Sequence, residues 1–129
     1  MRPIKVILDA NTLIEAAKNK ADIFGQINDR FAKPDIVTSA SVMAELKKIS
    51  GGKGSNSIAA RVAIQLAKKN SVGARKTKDK GDDSLLELCD GDSILITQDR
   101  NLRERCKRLG FSTGFIREKR YLTFEREIR

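Results

Sequence analysis

Short apolar runs alternate along this chain with stretches of helical spacing, and that alternation limits the fold more than any other feature. Ile4-Lys5-Val6-Ile7-Leu8 and Ser93-Ile94-Leu95-Ile96-Thr97 are nearly continuous hydrophobic runs, as strands buried in a parallel sheet require. Ile36-Val37-Thr38 reads as a second strand, Ser71-Val72-Gly73-Ala74 as a weak third and Thr113 to Ile116 as the last. Helices are expected in between. One follows a cap at Asn11, with Leu13, Ile14, Ala16 and Ala17 on its face, and another runs from about Ala21 to Phe31 and is broken by Pro34. Others start at Ser39 or Ser41, at Ser55 or Asn56, at Asp82-Asp83-Ser84, and at Asp99, the last ending at Gly110. Strands separated by helices imply a three-layer α/β/α fold, with a central, mainly parallel sheet and helices on both faces. No repeat or linker divides the 129 residues, so a single domain is expected, with a charged tail from about residue 117.

In such folds the site lies at the carboxyl ends of the strands. Asp9 ends the first apolar run, and Asp99 follows Thr97 at the end of the clearest strand. Asp82 and Asp83 open the helix before that strand, and Glu45 lies in the helix after Ile36-Val37-Thr38. Asp82, Asp83 and Asp99 could each be a helix cap stabilising a dipole, and Glu45 an ordinary exposed helix residue. Asp9 is harder to dismiss, because an apolar strand needs no charge at its end. Carboxylates gathered at one rim repel and raise one another's pKa, so they call for a cation. Oxygen-only ligands suit Mg²⁺ or Mn²⁺, and a water on such an ion can attack a phosphodiester.

Composition narrows the chemistry from the other side. The chain has no histidine, which excludes Ser-His-Asp triads, Cys-His nucleophiles and histidine-containing zinc sites. Lys and Arg number 26 against 17 Asp and Glu, a net charge of +9, and a surplus of this kind draws nucleic acid. The basic residues expected to meet RNA are Lys47, Lys48, Lys53, Arg75, Lys76, Lys78, Lys80, Arg100 and Arg103. Aromatic residues are only 5%, without tryptophan, so backbone and shape contacts should dominate. Cys89 and Cys106 read as reduced thiols packed among apolar residues. No stretch reaches membrane-spanning length and the N-terminal run is too brief for a signal peptide, so a cytoplasmic protein is expected.

Four segments together resemble the PIN-domain nuclease family. Val6-Ile7-Leu8-Asp9-Ala10-Asn11-Thr12-Leu13 is similar to its first motif and Val42-Met43-Ala44-Glu45-Leu46 to its second. Gly81-Asp82-Asp83-Ser84-Leu85-Leu86 is similar to the third and Ile96-Thr97-Gln98-Asp99-Arg100-Asn101-Leu102 to the fourth. The resemblance implies a PIN fold, bound Mg²⁺ or Mn²⁺ and endoribonuclease activity. It implies Asp9, Glu45, Asp83 and Asp99 as catalytic metal ligands, Asp82 as a fifth acid whose rank against Asp83 stays open, and Asn11 and Thr97 as supporting polar groups. Ala10 departs from the Thr or Ser of many members. The stretch from Leu102 to Leu122 resembles the branch with ribosomal-RNA-processing endonucleases more than the toxins of toxin–antitoxin pairs. The partners this leaves open are a structured RNA, a second copy of the chain, a ribonucleoprotein or an antitoxin.

Other readings fit less well. A haloacid-dehalogenase-type phosphatase needs an acid two places after Asp9, where Asn11 cannot donate a proton as a general acid does. A response-regulator receiver lacks its lysine-bearing strand end. Gly51-Gly52-Lys53-Gly54-Ser55 lacks the spacing of a phosphate loop and follows no strand, so it reads as a flexible loop. A catalytically silent RNA-binding assembly module remains the alternative from a different class.

Overall fold

The computed structural model describes residues 3–125. The chain runs β1 (Lys5–Leu8), α1 (Ala10–Asn19), α2 (Ile23–Arg30), β2 (Asp35–Ser39), α3 (Ala40–Ser50), α4 (Ser55–Lys69), β3 (Gly73–Arg75), α5 (Gly81–Leu88), β4 (Ser93–Ile96), α6 (Arg100–Arg108), β5 (Ser112–Arg117) and β6 (Tyr121–Glu125). The six strands form one sheet in the order β3-β2-β1-β4-β5-β6. β1 pairs in parallel with β2 and β4, and β2 with β3 and β4 with β5 are also parallel. Only β6 is antiparallel, paired with β5 from Thr113↔Glu125 to Arg117↔Tyr121.

The central strands are apolar for the reason read from the sequence. Val6, Ile7 and Leu8 of β1 and Leu95 and Ile96 of β4 are fully buried, each side chain contributing about 1.5–3 kcal/mol. Leu13, Ile27 and Leu46 close one face and Leu85, Leu102 and Cys106 the other. Right-handed crossovers place α1 to α4 on the first face and α5 and α6 on the second. The chain leaves β1 towards β2 but leaves β4 towards β5, in the opposite direction. The carboxyl ends of β1 and β4 therefore form the crevice where the strand order reverses, the usual place for a site. Leu8 lies beside Ile96 in register, and Asp9 N–H extends the ladder to Ile96 O at 3.2 Å.

Three boundaries differ from the sequence reading. α1 starts at Ala10, so the N-cap is Asp9 and Asn11 lies inside the helix. α4 starts at Ser55 from Gly54, which has φ 99 and offers no side-chain cap; a left-handed residue there favours glycine. The charged tail expected from about 117 is a hairpin strand as far as Glu125: Leu122 and Phe124 turn partly inward, and Phe124 meets Phe31 edge-on at 5.6 Å. Two apolar positions among charges were enough to close a sheet edge. Residues 126–129 of that tail lie outside the described residues. Cys89 and Cys106 are free thiols with sulfurs 3.9 Å apart, Cys106 buried and Cys89 partly so.

Candidate active site

Asp9 is the best-defined acid in the molecule. It is only 7% exposed and sits at the N-cap of α1 with extended backbone, yet its side chain makes no cap hydrogen bond. Its carboxylate accepts instead from Thr97 Oγ1 at 2.7 Å. Thr97 is fully buried at the end of β4, and its Oγ1 in turn accepts from Asp99 N–H at 3.1 Å. One hydroxyl thus ties the ends of both central strands to the start of α6. Thr38 Oγ1 donates to Leu8 O at 2.7 Å and Thr12 Oγ1 to Ile96 O at 3.1 Å, holding the same two strand ends.

Burial raises the Asp9 carboxyl above its ordinary value, the hydrogen bond from Thr97 and the nearby Ala10 backbone N–H pull it down, and the charges of Asp82 and Asp99 push it up again. The acids that act on Asp9 are thus the one at the start of α5 and the one after β4. Asp99 is also a true cap: its Oδ1 accepts from Asn101 N–H at 2.9 Å and Leu102 N–H at 3.2 Å. That engages one of its two oxygens. Asp83 points elsewhere and pairs with Arg105. Arg105 is raised first by that bond and further by Asp82 and Asp99, so it lies on the same acidic rim. Glu45 is exposed in α3, about 8 Å along the helix from its start.

The structure therefore joins Asp9 to Thr97 and Thr97 to Asp99 by hydrogen bonds, places Asp82 in the first turn of α5 where its charge raises Asp9, and keeps Asp83 on Arg105. Asn11 is exposed beside this rim. Sequence reasoning gave no role to Thr12, Thr38 and Ser84, and read Ser39 only as one of two possible starts of the helix it caps. Ser39 Oγ caps α3 through Val42 N–H at 2.9 Å and accepts from Ser84 Oγ at 2.7 Å, locking α3 to α5. Ser41 Oγ accepts from Gly81 N–H at 2.9 Å, a second tie between the same helix starts. The available signal was the hydroxyl ending each apolar run, at Thr38-Ser39 as at Thr97.

The donor set suits a hard divalent cation. Its ligating atoms are carboxylate oxygens, and among the described residues no Lys or Arg pairs with Asp9, Asp82 or Asp99. The charges of Asp82 and Asp99 act on Asp9, but no three of the described acidic or sulfur side chains stand close enough to ligate one ion as they are. Buried Asp9, held by Thr97, is the fixed member, and Asp82 and Asp99 are exposed.

Of the basic residues expected to meet RNA, Arg103 is committed to the protein. It donates to Thr97 O at 2.8 Å, pairs with Glu125 at 3.2 Å and lies 4.5 Å over the Phe115 ring. It supports the site from behind. Arg75 pairs with Asp35 at 3.3 Å. Lys47, Lys48, Lys53, Lys76, Lys78, Lys80 and Arg100 are exposed. The loop carrying Lys76, Lys78 and Lys80 is held by Glu87, whose carboxylate accepts from the backbone N–H groups of Lys78 and Asp79.

The model of the PIN-like domain family matches residues 6–119. The chain belongs to the PIN-like domain family. Ribonuclease VapC9 of Archaeoglobus fulgidus is 34% identical over 114 residues, covering 87% of this chain and 82% of that protein. The solved structure of the PIN domain endonuclease Utp24 superposes with a TM-score of 0.76 at 27% identity, covering 96% of this chain and 92% of that one. A domain of a Methanocaldococcus jannaschii protein of unknown function shares the fold, with a TM-score of 0.54 and 16% identity. This PIN-like domain thus has both a ribonuclease and an endonuclease among its relatives, and the matched region contains Asp9, Asp82, Asp83 and Asp99.

Proposed function

We propose that the chain is a metal-dependent endoribonuclease, hydrolysing RNA phosphodiester bonds with a water activated by Mg²⁺ or Mn²⁺. The observation that carries this reading is the buried Asp9 carboxylate at the strand-order reversal, held by Thr97 and flanked by the charges of Asp82 and Asp99. Asp9, Asp82 and Asp99 would hold the ion, with Asp83 joining if Arg105 releases it and Glu45 if its side chain swings in. When bound, the ion supplies an activated water and positive charge beside the phosphate. Thr97 fixes the carboxylate that receives it. Lysines at the rim would draw in the RNA backbone, and the resemblance of the stretch from Leu102 to Leu122 leads us to propose a cytoplasmic enzyme of ribosomal RNA processing. Incubating the purified protein with structured RNAs tests this. Cleavage should occur with Mg²⁺ or Mn²⁺ and fall to background in excess chelator and in Asp9→Asn; full activity in chelator would overturn the reading.

A toxin-type ribonuclease held by an antitoxin is the second reading. What favours it is a mainly apolar cleft of about 540 Å³ between α1, α2 and α4, walled by Ala17, Phe24 and Leu66 with Val62 40% exposed beside them. A partner helix could cover it, and copurification of a stoichiometric small protein that silences cleavage would select this role.

A further inference from the structure

A second cleft, of about 470 Å³, opens beside the acidic rim, within the size range of ligand sites. Both site segments contribute to its wall: Asn11 lies two residues beyond Asp9, and Gln98 lies between Thr97 and Asp99. Gln98 is rigid. It accepts from Ile116 N–H at 2.6 Å and donates to Ile116 O at 3.0 Å. Ile14, nearly buried, and Ile49, partly buried, give the cleft apolar surface. Glu15 and Lys18, one helical turn apart on α1, supply opposite charges at its edge. Among the described residues neither forms an ion pair. Asn19 donates to Glu15 Oε1 at 3.2 Å, which orients the carboxylate and leaves its other oxygen free.

That combination is poor for a phosphate, which Glu15 would repel, and good for a flat, polar-edged ring lying against isoleucine. Bases of single-stranded RNA are read on their Watson–Crick edges. Guanine is the one common base with two adjacent donors there, N1–H and N2–H, followed by the O6 acceptor. A carboxylate can accept both donors, and an ammonium can meet O6. We propose that the cleft between α1, the end of α3 and the start of α4 is a nucleotide subsite that prefers guanine, with Glu15 as the specificity-determining residue and Lys18 as its complement. The inference rests on the ribonuclease reading and adds base selection to it, placing a guanosine next to the scissile phosphate.

The test uses full-length Asp9→Asn protein, which keeps RNA intact, and three six-nucleotide RNAs: oligouridine, the same strand with one central guanosine, and the same strand with inosine in its place. Inosine lacks only the N2 amino group. Affinity is read by fluorescence anisotropy, and the side-chain amide signals of Asn11, Gln98 and Asn56, which also lines the cleft, by NMR, with the Thr97 backbone amide reporting the acidic rim. The guanosine strand should bind about tenfold tighter than oligouridine, inosine should lose most of that gain, and the three side-chain amides should shift. Glu15→Gln should bring the guanosine strand down to the inosine value, with its melting temperature reporting that it folds. If it does not fold, the guanosine–inosine comparison in the parent decides alone. Equal affinity for guanosine and inosine, or shifts at Thr97 without shifts at Asn11, Asn56 and Gln98, would overturn the subsite and leave the nuclease reading standing. No RNA binding at all would overturn both.

Discussion

Asp9 and Asp99 are the same residue type in the same position, each at the N-cap of a helix that follows a central strand, yet they use their carboxylates differently. Asp99 caps α6. Asp9 gives up its cap for Thr97 and stays buried. The folded-state pKa of Asp9 is raised above 3.8, so between 3.8 and the raised value the folded protein binds more protons than the unfolded chain. Stability contributed by this group is present at low pH and is lost as pH rises through that window. Asp9→Asn removes the loss. Without metal, the variant should melt above the parent at neutral pH, by about 0.5–2 kcal/mol, and the gap should close as the pH falls below the carboxylate range. With several millimolar Mn²⁺ the order should reverse, because the parent gains binding energy on the folded state that the variant largely forgoes. Melting curves at two pH values, with chelator and with metal, check both signs. An unchanged ranking in metal would mean that Asp9 does not receive the ion.

At the scale of elements, α5 presents Asp82 and Asp83 one after the other, and successive helical residues point about 100° apart. Only one of the two can face Asp9. The charge acting on Asp9 is that of Asp82, while Asp83 is held by Arg105 of α6. Asp82→Asn should therefore lower the cleavage rate at least about a hundredfold, and Asp83→Asn less than about tenfold. Single-turnover rates in Mn²⁺ measure the difference, and the opposite order would make Asp83 the ligand and Arg105 a counter-ion displaced by metal. The sequence alone left this choice open, because a helix start reads the same whichever acid turns inward. The sequence did make the strand ends legible, since Leu8-Asp9 and Ile96-Thr97 join a buried run to a polar group with no packing reason to be there. It hid β6, where Leu122 and Phe124 sit among charges and only the pairing with β5 reveals their purpose. It also hid the inward use of Arg103, because a cation that pairs with Glu125 and covers Phe115 looks like any other basic helix residue until the hairpin is in place.

The whole molecule combines a +9 net charge with a rim of acids, and topology decides which lysines matter. The segment from Lys76 to Lys80 leaves the carboxyl end of β3 and enters the start of α5, so it lies on the same edge of the sheet as Asp9 and Asp82. Lys68 and Lys69 end α4, which runs back against the strands, so they lie at the opposite edge. Both sets are exposed and equally basic per residue, so net charge alone does not separate them. RNA affinity should fall steeply with salt, with a slope of roughly −0.7 per phosphate contacted on single strands. Lys76→Glu, Lys78→Glu and Lys80→Glu together should weaken binding and flatten that slope. Lys68→Glu with Lys69→Glu should lower affinity only slightly, through the general field. The loop lysines tolerate the change structurally because Glu87 holds the loop through backbone N–H groups rather than through their side chains. Affinities of the parent and both variants, titrated from low to moderate salt on one RNA with chelator present, give the two slopes. Equal losses per charge from the two sets would mean that RNA is drawn by the overall charge and not laid across the acidic rim, and a flat slope in the parent would remove the electrostatic account of binding altogether.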